Sequence, residues 1–283
     1  MTTARYAEVI GDPVAQSKSP IIHKYWLERL ALAGDYRRAF VPRASLADHL
    51  SARRDDPDWL GCNITIPHKE NALALVDRLD PQAAAIGAVN CVVRAGDGLS
   101  GSNTDVDGIA AALDDTMLEG AKTAIIGAGG GARAAIAYLA GRGAATIVIL
   151  VRDPAKAAAL RDIAPEISVE IGRFGDADAL LDGADAMVNA SPLGMAGYPP
   201  MPVDLLASVA RHAAATTVFD MVYEPVETPF LAAGRNAGAR SVDGLAMLIG
   251  QAARAFELFF GKAPPPPDPH LRGLLVTDRP HSQ

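Results

Sequence analysis

The chain has 283 residues, enough for two modest domains or one large one, and its 49% hydrophobic and 21% charged content is that of a soluble globular protein rather than a disordered one. A formal net charge of −7 argues against nucleic acid as a partner, because phosphate-backbone binding needs a concentrated cationic face and the densest basic cluster is only Arg37, Arg38 and Arg43. No run approaches the length of a membrane span, the first residues (Met1-Thr2-Thr3-Ala4-Arg5) carry no apolar signal core, and Cys62 and Cys91 sit in apolar strand-like runs that suit reduced, buried thiols. The expectation is a cytoplasmic protein with neither a disulfide framework nor a bound metal.

Short apolar runs alternate with longer helical patterns, which predicts an α/β protein with mainly parallel sheets. In the first third, strands are expected near 6–10, 36–41, 60–64 and 88–93, and helices near 20–32, 45–53, 67–75 and 81–86. Ala95-Gly96-Asp97-Gly98 predicts a hairpin turn, and a first domain closes just after Asp105. Further strands near 123–126, 146–151, 169–171, 186–189, 217–220 and 240–242 alternate with Ala-rich helices in a segment bounded at 106–243. A last long helix near 245–260 carries an aromatic-rich apolar face and is expected to return to the first domain, so that 1–105 and 244–283 form one domain. Pro264 to Pro267 should end regular structure, leaving a poorly ordered tail to Gln283.

Four places along the chain carry chemistry. In Gln16-Ser17-Lys18-Ser19-Pro20, Pro20 fits the first helical position and Ser19 the cap, which places the hydroxyls of Ser17 and Ser19 beside unsatisfied helix amides, a small anion site suited to a carboxylate. Capping alone explains Ser19 and leaves Ser17 without a reason; His23, one turn in, reads as a satisfied structural histidine. Lys69 ends the run Asn63-Ile64-Thr65-Ile66-Pro67-His68-Lys69 and is expected in the first turn of a helix begun by Pro67, an unfavourable place for a cation unless a carboxylate answers it. Asp105 in Asn103-Thr104-Asp105 is that partner, and the pair suits proton transfer; the bland alternative is a surface lysine that extends its charge to water.

The third place is the turn Gly127-Ala128-Gly129-Gly130-Gly131-Ala132 between a buried strand and a helix. Gly127 permits the tight turn, Gly129 the approach of a pyrophosphate, and Ala132 close helix packing, with free amides of the helix start facing the phosphates. Last, the following strand ends at Val151-Arg152-Asp153 with Lys156 one turn on. An arginine there suits a 2′-phosphate, so Arg152 and Lys156 favour NADP, with NAD possible because Asp153 repels that phosphate; a plain solvated helix start capped by Asp153 is the alternative.

Taken together in chain order, these segments resemble the shikimate dehydrogenase family from about Tyr6 to Phe260. The matching pieces are Ser17-Lys18-Ser19-Pro20, the run from Asn63 to Lys69, Gly87-Ala88-Val89-Asn90, Asn103-Thr104-Asp105, the glycine turn, Asn189-Ala190-Ser191-Pro192-Leu193-Gly194-Met195, Asp220-Met221-Val222-Tyr223, and Asp243-Gly244-Leu245 with Gln251. The resemblance implies NADP-linked interconversion of shikimate and 3-dehydroshikimate. It implies that Ser17 and Ser19 bind the substrate carboxylate, that Thr65, Asn90, Tyr223 and Gln251 hold ring hydroxyls or the carboxylate, and that Lys69 and Asp105 form the acid–base pair. It places the nicotinamide near Met221 and Gly244, with Ser191 also on the cofactor side, and implies a Rossmann domain inserted into an N-terminal α/β domain with a cleft between them.

The chain departs from the family at Val151-Arg152-Asp153, where NADP users commonly have Asn-Arg-Thr or Asn-Arg-Ser, and at Ser191, where many have Thr. Rival readings are a quinate or dual quinate/shikimate dehydrogenase using NAD, a non-catalytic NADP-binding sensor, and a methylene-tetrahydrofolate dehydrogenase-like enzyme, which would leave the Ser17/Ser19 site unexplained. A monomer or a homodimer acting on a small molecule fits each of them.

Overall fold

The structure is a computed structural model in which residues 5–277 are described. The chain divides into two compact units, one running to Asp105 and resuming at Gln251, the other spanning Val106–Gly250.

The first unit contains β1 (Tyr6–Gly11), α1 (Ser19–Arg29), β2 (Asp35–Phe40), α2 (Leu46–Arg54), β3 (Trp59–Ile64), β4 (Arg78–Leu79), α3 (Pro81–Ile86), β5 (Cys91–Ala95) and β6 (Gly98–Ser102). They form a six-stranded sheet in the order β2-β1-β3-β5-β6-β4. β1 is buried along its whole length and pairs in parallel with β2 and β3, whereas β5 runs antiparallel to both β3 and β6. The β5–β6 hairpin closes where expected, with Gly96 supplying the positive φ of 67° that its turn requires. Glu8, buried in the middle of β1, accepts from Arg53 Nε at 2.7 Å and from Trp59 Nε1 at 3.1 Å, so a paired charge ties α2 to the sheet. Burial alone would raise its carboxyl, but the His49 and Arg53 hydrogen bonds and charges outweigh it and hold the group below the usual range.

The second unit holds α4 (Asp105–Leu113) from its second residue on, β7 (Lys122–Ile126), α5 (Gly130–Gly141), β8 (Thr146–Val151), α6 (Pro154–Ala157), β9 (Ser168–Arg173), α7 (Ala177–Leu181), β10 (Ala186–Asn189), α8 (Val203–His212), β11 (Thr217–Asp220), α9 (Pro229–Asn236) and β12 (Arg240–Val242). All its strand pairs are parallel, in the order β12-β11-β10-β7-β8-β9. Counted from β7, that is the doubly wound order in which the winding reverses between β7 and β10, where such sheets take their ligands. Ile126, Val148, Leu150, Met187 and Val218 fill one face of the sheet against Leu205, Val209 and Phe230. The long helix α10 (Gly244–Phe260) begins in this unit and ends in the first, where Ala255 and Phe259 pack with Val9, Tyr36 and Cys91.

Three expectations need correction. The stretch 67–75 is not an α-helix: only Asn71–Leu75 coils, as a short 3-10 turn. Val89 N takes the Lys69 carbonyl at 2.8 Å, so the acceptor a continuous helix needs is spent on the neighbouring loop. Residues 88–90 lie in that loop and β5 begins only at Cys91. The tail beyond the prolines is not shapeless, because α11 (Pro269–Thr277) buries Leu271 and Leu275; residues 278–283 lie outside those described.

Candidate active site

In the first unit, Lys69 Nζ donates to Asp105 Oδ2 at 2.5 Å, with side-chain exposures of 19% and 5%. The loop 87–90 between them sets the geometry. Asn103 Nδ2 donates to Ala88 O at 2.9 Å, Asn90 Nδ2 donates to Asp105 Oδ1 at 2.8 Å, and Asn90 Oδ1 accepts from Thr104 N at 2.7 Å. One carboxylate oxygen is thus held by an amide and the other by the ammonium, an arrangement that leaves the amine's remaining protons directed by the pair. Because Lys69 follows a turn and not a helix start, the charge argument rests on Asp105 alone, without a helix dipole.

Ser17 Oγ donates to Ser19 Oγ at 3.3 Å and accepts from Ser19 N at 3.4 Å. Lys18, not Ser19, occupies the position before α1, and no side chain caps the helix. Ser17 therefore serves the first helical amide, which capping by Ser19 could not explain. Tyr36, whose phenol burial pushes well above its ordinary range, donates to Asn63 Oδ1 at 2.6 Å, and Asn63 Nδ2 reaches Asn90 O at 3.4 Å. A chain of polar groups so connects the region of the serine pair to the loop that holds Asp105. Thr65 is half-buried, its amide bonded to Ile10 O at 3.0 Å, and Gln251 is buried in the same unit. Tyr223 belongs to the second unit, in the loop after β11.

His23 is a correction of a different kind. It is structural, stacked on Tyr36 with ring centroids 3.9 Å apart, yet neither ring nitrogen has a hydrogen-bond partner. Burial pushes its pKa down to about 3.

In the second unit the residues present fit a dinucleotide. Gly127 has φ +117°, and a Cβ there would lie 3.0 Å from Ala190 O; one on Gly129 would meet nothing within 4 Å, which leaves open space beside the start of α5. Ala128 is exposed, Gly130 and Gly131 begin the helix, and Ala132 is fully buried. Arg152 is exposed and makes no polar contact among the described residues. Asp153 caps α6 through Ala155 N at 3.2 Å and lies 3.6 Å from Lys156 Nζ. The carboxylate expected to repel a 2′-phosphate is thereby engaged by its own helix and by Lys156.

Ser191 Oγ donates to Asn189 Oδ1 at 2.7 Å and accepts from Leu193 N, so its hydroxyl shapes the loop after β10. Gly244 is required where it stands, since a Cβ would come within 2.6 Å of Met221 O and Val222 O. The Met221 sulfur lies 3.0 Å from where a Cβ on Gly131 would be. Sequence reasoning gave no role to Asp220. It is fully buried and accepts from Asn189 Nδ2, Val222 N and Thr228 Oγ1 at 2.9, 2.9 and 2.6 Å; burial pushes its pKa up to about 6 against those hydrogen bonds. The pattern Thr228-Pro229, a cap followed by a helix start, was the available signal for one of its donors.

Residues 9–92 match the family model of the shikimate dehydrogenase substrate binding domain, 110–193 that of shikimate/quinate 5-dehydrogenase, and 244–268 that of the shikimate 5′-dehydrogenase C-terminal domain. A shikimate dehydrogenase (NADP(+)) of Sphingopyxis alaskensis is 49% identical over 277 residues, covering 96% of this chain and 97% of its own. Among solved structures, shikimate 5-dehydrogenase from Thermus thermophilus in complex with NADP(H) and shikimate superposes with a TM-score of 0.80 at 32% identity, covering 96% of this chain and 98% of that one. Quinate dehydrogenase from Corynebacterium glutamicum in complex with NAD reaches 0.81 at 31% identity, covering 96% and 97%.

Proposed function

This chain belongs to the shikimate dehydrogenase family, and on that premise we propose that it interconverts 3-dehydroshikimate and shikimate with NADP. The observation that carries the reading is the 2.5 Å contact of Lys69 with a carboxylate whose other oxygen is already held by Asn90. In the reductive direction the Lys69 ammonium gives a proton to the substrate oxygen as the carbonyl carbon is reduced, and Asp105 orients that ammonium. The bound dinucleotide supplies the hydride. Ser17 and Ser19 hold the substrate carboxylate; Thr65, Asn90, Gln251 and Tyr223 take its hydroxyls. On the cofactor side, the turn from Gly127 to Ala132 receives the pyrophosphate, Arg152 with Lys156 receives the 2′-phosphate, and Ser191, Met221 and Gly244 shape the nicotinamide side.

Arg152, exposed and uncommitted, supports NADP over NAD. The first unit, with α10 from its first residue onward, acts as the substrate domain, and the remainder of the second as the dinucleotide domain. No helix among the described residues is long and apolar enough to cross a membrane, and Cys62 and Cys91 are buried thiols outside any disulfide. We place the enzyme in the cytoplasm, as a monomer or homodimer in aromatic amino acid biosynthesis.

Lys69→Ala tests the assignment. Shikimate oxidation should fall by about 10²–10⁴-fold, the range for loss of a general acid–base group, with NADP affinity unchanged. Near-full turnover by the variant would overturn the acid–base role. Higher kcat/KM of the unaltered enzyme on quinate with NAD than on shikimate with NADP would overturn the substrate.

A further inference from the structure

Lys18, between the two serines, is 1% exposed, and its ammonium reaches across the first unit to Leu275 O at 2.6 Å. Leu275 stands in the last turn of α11, where carbonyls without helical partners carry partial negative charge and favour a cation. The other end of α11 is anchored as well. Asp268 accepts Leu271 N at 2.8 Å, capping the helix, and also accepts the hydroxyl of Tyr25 on α1 at 2.6 Å. Arg38 meanwhile holds Ser17 O through Nε and Nη2 at 2.9 and 2.6 Å. Three consecutive residues are therefore fixed from separate directions: Ser17 from β2, Lys18 from α11, and Ser19 through the hydroxyl of Ser17.

A buried ammonium costs more to desolvate than an apolar side chain of the same length, which would fill this space. What the lysine adds is a directed bond that locks the backbone between the two hydroxyls. We propose that Lys18 is a positioning residue for the substrate carboxylate, and that α11, through Leu275, is a working part of the substrate site. This rests on the assignment of Ser17 and Ser19 to that carboxylate.

The test uses full-length Lys18→Met and a chain ending at Pro267, assayed with shikimate and with its uncharged methyl ester. Both variants should raise KM for shikimate by about tenfold or more, the effect of losing a hydrogen bond to a charged group, while KM for NADP stays unchanged. The methyl ester, which lacks the charge the serines read, should lose far less. The two changes combined should raise KM no further than the truncation alone, because the truncation already removes the carbonyl that Lys18 holds. A lowered melting temperature with unchanged KM for shikimate in both variants overturns the proposal. If both variants fail to fold, hydrogen exchange on the unaltered enzyme decides: shikimate should slow exchange in Pro269–Thr277, and no slowing overturns it. An unaltered enzyme that is inactive on shikimate would instead sink the proposed function.

Discussion

Lys69 and Asp105 are 36 residues apart in sequence, and the loop between α3 and β5 holds both of them. Val89 N holds the lysine's carbonyl, and Asn90 holds the carboxylate. At the same scale His23 shows what burial alone does to a side chain. With its pKa at about 3 in the folded protein and 6.5 as the reference, the unfolded chain binds the proton first as pH falls. Its neutral form therefore supports folding fully above pH 6.5, and that contribution is lost progressively as pH drops from there toward 3. At pH 5 the loss is about 2 kcal/mol, from 1.36 kcal/mol per unit of difference. His23→Phe keeps a ring against Tyr36 and removes both unpartnered nitrogens. Denaturant unfolding at pH 7.5 and pH 5 should show the variant losing about 2 kcal/mol less than the parent between the two. Glu8 and the other acidic groups remain in both proteins, so equal losses would mean that His23 is not the source.

At the scale of elements, the strand–turn–helix β7–α5 works through close approach. Gly127, at φ +117°, lies where a Cβ would meet Ala190 O at 3.0 Å and Ser191 Cβ at 3.1 Å. Gly127→Ala should displace the turn from the loop after β10. Strain on the order of 1–3 kcal/mol should weaken NADP by about tenfold or more, measured by equilibrium binding. KM for shikimate at saturating NADP should hold, and unchanged NADP affinity would show that the turn yields freely. This turn was legible in the sequence because its requirement is local: a buried strand, small residues, then a helix. The hairpin at Gly96 and the parallel strands of the second unit were legible for the same reason. Two elements were not. The stretch after Pro67 has helical composition, yet the Lys69 carbonyl is taken by Val89, a partner 20 residues away that no local pattern announces. Likewise α11 follows four prolines and reads as a tail until Leu271 and Leu275 find a surface on the first unit and Lys18 a carbonyl. Asp220 escaped for a related reason, since its donors come from β10, its own loop and the start of α9.

At the scale of the whole molecule, each unit carries its own core. The cluster around Ile126, Val148 and Phe230 lies in one, and those around Ile10, Trp59 and Val92 and around Tyr36, Ala255 and Phe259 lie in the other. A ligand that binds only the folded form of one unit stabilises that unit, by about 2.7 kcal/mol at a hundredfold excess over Kd. Openings confined to one core respond to their own ligand, whereas a single cooperative opening of the chain would respond to either. NADP alone should slow amide exchange in β7, β10 and β11 more than in β1 and β3. Shikimate alone should give the reverse, with the largest slowing in β1, β3 and the loop 87–90. Hydrogen exchange read by mass spectrometry separates the two cases, since equal slowing of both sheets by either ligand would show that the chain opens as one body and that the two cores are not independent units of stability.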